Sequence, residues 1–309
     1  MSTTVGWWAA PLLVLAVLGA GAYVVAVLDG LVAARVAGRS AAGSLLGPAR
    51  WAAATLASQA LATERPDVAL RRTALVGYAG LAALGVAVVP LWDGVAAADG
   101  PVGIVLWGTV EALAIVAVFL RGWAVNGLLA LMAAYRFVAV GFAYLLLSMF
   151  VLIAAALPAE SLGVGAVVDA QRGLWNVVRQ PLGLPLFLVV ALGTVLWGPM
   201  ALGLGTDLGE GSASEDSGVD RVLWRVGRAA MVVAFSVMAA AVFLGGWHGP
   251  LLPGPVWMVA KALAVAAVLV VARHRLARVR AERFVTVAWT VLLPLGFLDL
   301  AMAGVETLA

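Results

Sequence analysis

Apolar residues fall along this chain in runs of about twenty, separated by short stretches that hold nearly all of its charge. A run of that length crosses about 30 Å of hydrocarbon as an α-helix. Several runs are apolar all round rather than striped, as helices embedded in lipid are. They predict about eight spans, over residues 6–28, 72–92, 101–120, 130–157, 180–203, 222–245, 255–273 and 284–304. Two segments break the pattern. Residues 44–64 are less apolar and place Leu45, Ala49, Ala52, Leu56 and Ala60 on one helical stripe. That predicts an interfacial amphipathic helix, with a plain helical connector as the alternative. Residues 205–218 (GTDLGEGSASEDSG) predict a flexible acidic loop. No internal repeat shows, so residues 1–309 read as a single all-α membrane domain.

The charges orient this bundle. Arg35, Arg39, Arg50, Arg65, Arg71 and Arg72 follow the first span, and Arg121 and Arg136 follow the third. Arg221, Arg225 and Arg228 follow the fifth, and Arg273, Arg275, Arg278, Arg280 and Arg283 follow the seventh. These are sixteen of the nineteen basic residues. The opposite loops hold only Arg172 and Arg179, and Lys261 lies within a span. By the positive-inside rule the loops after odd-numbered spans face the cytoplasm and both termini face outward. The first apolar run, from Val5 to Leu28, lacks a basic leader and is too long for a signal peptide, so it reads as a retained span.

Composition then removes whole classes of function. Hydrophobic residues make up 64% and charged residues 11%, against about 45–50% and 25% in soluble domains. Such a chain lacks the polar surface to cover itself in water. The absence of cysteine excludes disulfides, thiolate zinc sites and iron–sulfur ligation by this chain. Of the two histidines, His248 lies in an outer loop and His274 in a basic run, so no intramembrane pair is available as haem ligands. The net charge of +3 comes mostly from arginines at membrane edges and does not signal nucleic-acid binding. No phosphate-binding, serine-hydrolase or zinc-protease motif occurs.

Charges inside the membrane are the remaining signal, because each costs at least about 2.5–3.5 kcal/mol to insert. Glu111 sits midway along the third span, in VLWGTVEALAIVAVFL. It is a candidate proton-relay group or ion-pair partner, or else an acid hydrogen-bonded to a neighbouring helix. Lys261, a second proton-relay candidate, and Asp299 lie near the outer ends of their spans, where snorkelling would also serve them. Asp29 and Arg136 sit at cytoplasmic edges, where interface anchoring would explain both.

Four stretches carry a resemblance. FLGGWHGP, followed by Lys261 and then ARHRLARVRAERFVTVAWTVLLPLGF, is similar to the end of the H subunit of bacterial NADH-quinone oxidoreductase, respiratory complex I. Members of that family read FLGGW, a Lys opening the next span, a basic RATLPRxRYDQLM run and a WKVLLPL span. RGWAVNGLLALMAAYR resembles the family's AGWASNNKYALLGGLR, Asp29 with AARVAGR resembles ERKVLARMQGR, and LWNVVRQPLGLPLFLVVAL resembles LWFIFLQPLGFLIFFIAAL. The matches keep their order over nearly the whole chain.

The resemblance implies an eight-helix subunit that anchors the membrane arm to the hydrophilic arm, forms most of a quinone-reducing chamber and begins a proton pathway with buried acids. It implies soluble iron–sulfur subunits and antiporter-like membrane subunits as partners, a bacterial inner-membrane location, and no cofactor held by this chain. Quinone, menaquinone among the candidates, would be the substrate. Carried over residue by residue, Asp29, Arg35, Arg39 and Glu64 match charged positions around the first cytoplasmic loop. Arg136 matches the Arg of GGLR, Tyr144 the Tyr of SYE, and Ser214, Glu215, Ser217 and Gly218 match HTEYSG.

The departures concern acids. RIGPNR is here RSAAGS, and the SYE glutamate is Leu145. AETNRAPFDLPEAE is here LGTVLWGPMALGLG, which puts Gly193, Leu196, Met200 and Gly203 where the family has Glu, Arg, Asp and Glu. The FLAEY glutamate is Arg228. Leu, Met and Gly cannot carry protons, so a diverged paralogue is expected. It would either line an altered quinone chamber or act as a structural adaptor. A standalone permease is the alternative from another class, but the inverted repeats of transporters are missing.

Overall fold

The computed structural model describes residues 9–59, 65–92, 95–98, 100–202, 211 and 216–308. Among these, every extended element is a helix, and the one β-type pairing is an isolated bridge between Trp92 and Val95. In chain order they are α1 (Ala9–Val36), α2 (Gly47–Leu56), α3 (Val68–Val88), α4 (Gly103–Ala124), α5 (Leu128–Ala156), α6 (Val164–Asp169), α7 (Asn176–Arg179), α8 (Gly183–Thr194), α9 (Gly218–Phe243), α10 (Gly254–Arg275), α11 (Ala281–Val287) and α12 (Leu293–Leu308). Helices α1, α4, α5, α9 and α10, and the run from α11 through α12, are long and apolar enough to cross a membrane. The chain is a polytopic membrane bundle.

Of the eight predicted spans, the other two are α3 and α8. Helix α3 has the length, 21 residues, but carries Arg71 and Arg72 near its start. Helix α8 is only 12 residues long and breaks well before the predicted end at residue 203. At about 1.5 Å per residue it reaches about 18 Å, short of the about 30 Å of hydrocarbon. The predicted interfacial helix is also shorter than its stripe. Pro48 starts α2, and the Ser58 hydroxyl donates to Thr55 O at 2.6 Å just past its end. Ala60 and Glu64 lie outside the described residues.

The centre of the bundle is α9. It packs against α1, α3, α8 and α10, and nearly every residue from Ala229 to Phe243 is buried. Its run of alanines lets neighbouring backbones approach, as small residues do where apolar burial supplies no net drive between helices in lipid. Glycine does the same elsewhere: a Cβ at Gly85 would meet Trp107 at 2.9 Å, and one at Gly122 would meet Ala130 O at 2.8 Å. The last span absorbs Pro294 by a π turn at Ala288–Leu292 that joins α11 to α12. Proline lacks an N–H and its ring crowds the carbonyl four residues back, so the wider turn keeps the helix continuous.

Ion pairs and hydrogen bonds place the helix ends. The end of α1, the starts of α3 and α9 and the ends of α4, α8 and α10 meet at one end of the bundle. The end of α9 and the loop before α10 gather at the other end with α7 and the second half of α12.

Candidate functional site

The charged end is a set of paired charges. Asp29, buried on the last turns of α1, receives the end of α10: His274 Nε2 lies 2.7 Å and Arg273 Nη1 3.0 Å from its Oδ1. Arg225 of α9 approaches Asp29 at 3.9 Å and lies over the Trp51 ring of α2, 4.1 Å from its centroid. Deeper in, Arg71 of α3 pairs with Asp220 in the first turn of α9, and Arg121 of α4 pairs with Asp216 just before it. Both pairs are buried, and Arg121 is fully so. An acid at a helix N-terminus is also favoured by the helix dipole. Arg121 lies 4.1 Å over Trp224, and Arg273 lies 4.5 Å over Trp197. Arginine spreads its charge and stacks on indole, which makes it the cation best suited to burial.

Next to this layer α8 breaks. Trp197 N–H donates to Leu192 O and Leu196 N–H to Gly193 O, closing the helix with Leu196 in the left-handed region at φ 54. Glycine usually takes that place. Arg228 of α9 spans the break, donating from Nε to Val195 O at 2.8 Å and from Nη2 to Leu196 O at 2.6 Å. Thr194 O accepts from the Tyr78 hydroxyl at 2.9 Å.

Gly193, where the resemblance puts a glutamate, has no room for a side chain. A Cβ there would overlap the Tyr144 ring. The phenol of α5 fills the space a side chain would need, backed by Phe284 at 4.9 Å between ring centroids. The Tyr144 hydroxyl is buried with no hydrogen-bond partner among the described residues.

Glu111 lies in the core, 2% exposed. Its Oε1 accepts from Trp107 Nε1 and from Ser148 Oγ, both at 2.8 Å, while Oε2 has no partner among the described residues. Its partner Trp107 packs on Phe187 and Phe235, and Phe187 packs in turn on Phe243. A buried carboxyl with one bonded and one open oxygen can hold a proton. Among the described residues it has no second acid beside it to receive one.

At the opposite end Lys261 donates to Gly246 O at 2.9 Å and His248 O at 2.6 Å, with Trp175 4.2 Å away. It is buried, and its ammonium is held by loop carbonyls at the outer end of its span. Glu111 and Lys261 have separate partners, so the structure does not join the two relay candidates. Asp299 is buried as well. With its amide turned to satisfy both groups, Gln180 donates to Asp299 Oδ2 at 3.2 Å. His248 lies 3.5 Å from Asp169, and burial pulls its pKa down against the pull of that carboxylate.

The remaining sequence candidates scatter. Arg35 is exposed at the end of α1, and Arg136 is half-buried on α5. Arg39 lines a cleft of about 330 Å³ between α1, α2 and α9, together with Gly30, Ser44, Trp51 and Arg225. Glu64, Ser214 and Glu215 lie outside the described residues. What sequence reading missed are the partners: Asp216 and Asp220 as counter-ions, His274 on Asp29, and Ser148 on Glu111. Partners far apart along the chain leave no mark in spacing.

The model of the NADH dehydrogenase family matches residues 9–304. The NADH-quinone oxidoreductase H subunit 1 of Rhodopseudomonas palustris (strain HaA2) is 34% identical over 226 residues, covering 73% of this chain and 71% of that protein. The NADH-quinone oxidoreductase H subunit 1 of Geobacter metallireducens is 33% identical over 208 residues, 67% of this chain and 63% of its own length. The NADH-quinone oxidoreductase H subunit 2 of Cereibacter sphaeroides (strain ATCC 17029 / ATH 2.4.9) is 33% identical over 233 residues, 75% and 73% respectively.

Proposed function

The chain belongs to the NADH dehydrogenase family, and from that membership we propose that it is a membrane-arm subunit of a complex I-like NADH:quinone oxidoreductase. In this role it sits in the bacterial inner membrane and joins antiporter-like membrane subunits to soluble iron–sulfur subunits. It carries no redox centre itself. The observation that supports this most is the gathering of charged helix ends on one side of the bundle. Their partners hold them rigidly, as a docking platform for a hydrophilic arm requires. The cleft between α1, α2 and α9, with Arg39 on its wall and Asp29 nearby on α1, is the place we assign to a quinone.

Between an altered quinone chamber and a plain adaptor, the interior favours less chemistry. Tyr144 fills the space beside Gly193, and Arg228 bonds the carbonyls after α8. A proton path needs titratable groups or water at each step. Glu111, with Ser148 beside it, is then the acid we put forward as a relay.

Purification of the native assembly with its subunits identified, followed by an assay of inhibitor-sensitive quinone reduction, tests the reading. Iron–sulfur subunits should co-purify; their absence sinks the proposal. For the proton role, Glu111→Gln keeps the bonds to Trp107 and Ser148 within reach. It should lower coupled proton uptake into vesicles while leaving electron transfer running. Unchanged coupling would remove Glu111 from the path.

A further inference from the structure

The break after α8 accounts for its carbonyls one by one. Ala191 O, Leu192 O and Gly193 O accept backbone N–H groups, and Thr194 O accepts the Tyr78 hydroxyl. The next two, Val195 O and Leu196 O, converge on one guanidinium, that of Arg228. A helix C-terminus carries negative partial charge. Where helices break inside membranes, such carbonyls coordinate Na⁺ or protons. Here the other cations of the layer have their own carboxylates, Arg121 on Asp216 and Arg273 on Asp29. Among the described residues Arg228 donates its hydrogen bonds to carbonyl oxygens, and the Asp29 carboxylate acts on it only through space.

We propose that the break after α8 is a monovalent-cation site that this chain keeps filled with its own tethered cation, the Arg228 guanidinium, which closes the bundle to free ions at this point. Two convergent carbonyls, a helix dipole and a left-handed Leu196 holding the pair open are a cation site in all but the free ion. A fixed guanidinium cannot dissociate, so nothing enters or leaves. This geometry is the same whether the chain lines a quinone chamber or serves as an adaptor.

The discriminating feature is charge. An ordinary cap needs only a hydrogen-bond donor; a cation site needs a cation. The full chain, purified in its native assembly, is compared with Arg228→Ala, Arg228→Gln and Arg228→Lys. Thermal unfolding is followed in guanidinium chloride at sub-denaturing concentration, in urea as the neutral analogue, and in choline chloride as an ionic-strength match. Guanidinium should raise the melting temperature of Arg228→Ala by about 2–4 °C once it exceeds its dissociation constant several-fold. Urea and choline should not, and the wild type should show no rise. Arg228→Lys should melt near the wild type and Arg228→Gln below it, a comparison that stands even if the alanine variant fails to assemble. In vesicles, Arg228→Ala should leak Na⁺ faster than the wild type, and guanidinium should slow that leak. Equal rescue by urea, a glutamine variant as stable as the wild type, or unchanged Na⁺ leak would overturn the proposal.

Discussion

At Gly193 only a hydrogen fits, because the Tyr144 ring occupies the place of a Cβ. Overpacking a buried site costs about 1–3 kcal/mol. Gly193→Ala should therefore lower the melting temperature in detergent, and in a Tyr144→Ala background the same change should cost less than it does in the wild type. If the two effects simply add, the contact is not what excludes a side chain there. His248 gives a residue-scale dependence on pH. Its folded pKa lies below the ordinary value of 6.5, so the native state favours neutral imidazole. As pH falls through that window the unfolded chain takes up the proton first. Stability should rise with pH below about 6.5 and level off above it. His248→Gln should flatten that slope, and an unchanged slope would assign it to another group.

Elements here are set by their ends as much as by their apolar runs. Asp67 caps α3, its Oδ1 accepting Leu70 N–H at 2.9 Å, and its own N–H reaches Ala124 O at the end of α4. One cap therefore fixes a helix start and its register against a neighbour. Asp67→Ala should cost about 0.5–2 kcal/mol. Hydrogen exchange should speed up at Leu70 and its neighbours while α9 stays protected. Uniform loss of protection would mean that the cap serves the whole bundle. Helix α8 shows the opposite case. The residues of LGTVLWGPM are apolar enough to continue the helix, yet it stops because Leu196 and Gly198 turn left-handed at φ 54 and 55.

Across the whole molecule, two buried ion pairs tie α3 and α4 to the start of α9. Breaking such a pair leaves an uncompensated charge, at a cost of about 3–5 kcal/mol. Asp216→Asn should destabilise the assembly by that order. Arg121→Met with Asp216→Leu, which removes both charges, should be far milder. Comparable losses in the single and double variants would show that the pair's geometry, rather than the stranded charge, carries the effect. Thermal unfolding of the assembled complex checks both.

The sequence by itself determined that this is an all-helical membrane bundle, where most spans lie, and which subunit family it resembles. Those features follow from local runs of apolar residues and from ordered motifs, so they survive being read in one dimension. It also exposed Glu111 as an acid deep in a span, and Arg228 and Gly193 as departures. Only the tertiary structure decided what these mean, because the deciding contacts join residues far apart along the chain. Glu111 shares its bonds with Trp107 and Ser148, Lys261 is held by loop carbonyls, and α8 stops short of a full span. The arginines at the span ends read alike in sequence; burial alone separates exposed Arg35 from Arg121 against Asp216. Charge in lipid has to find a partner, and which partner it finds is a property of the fold.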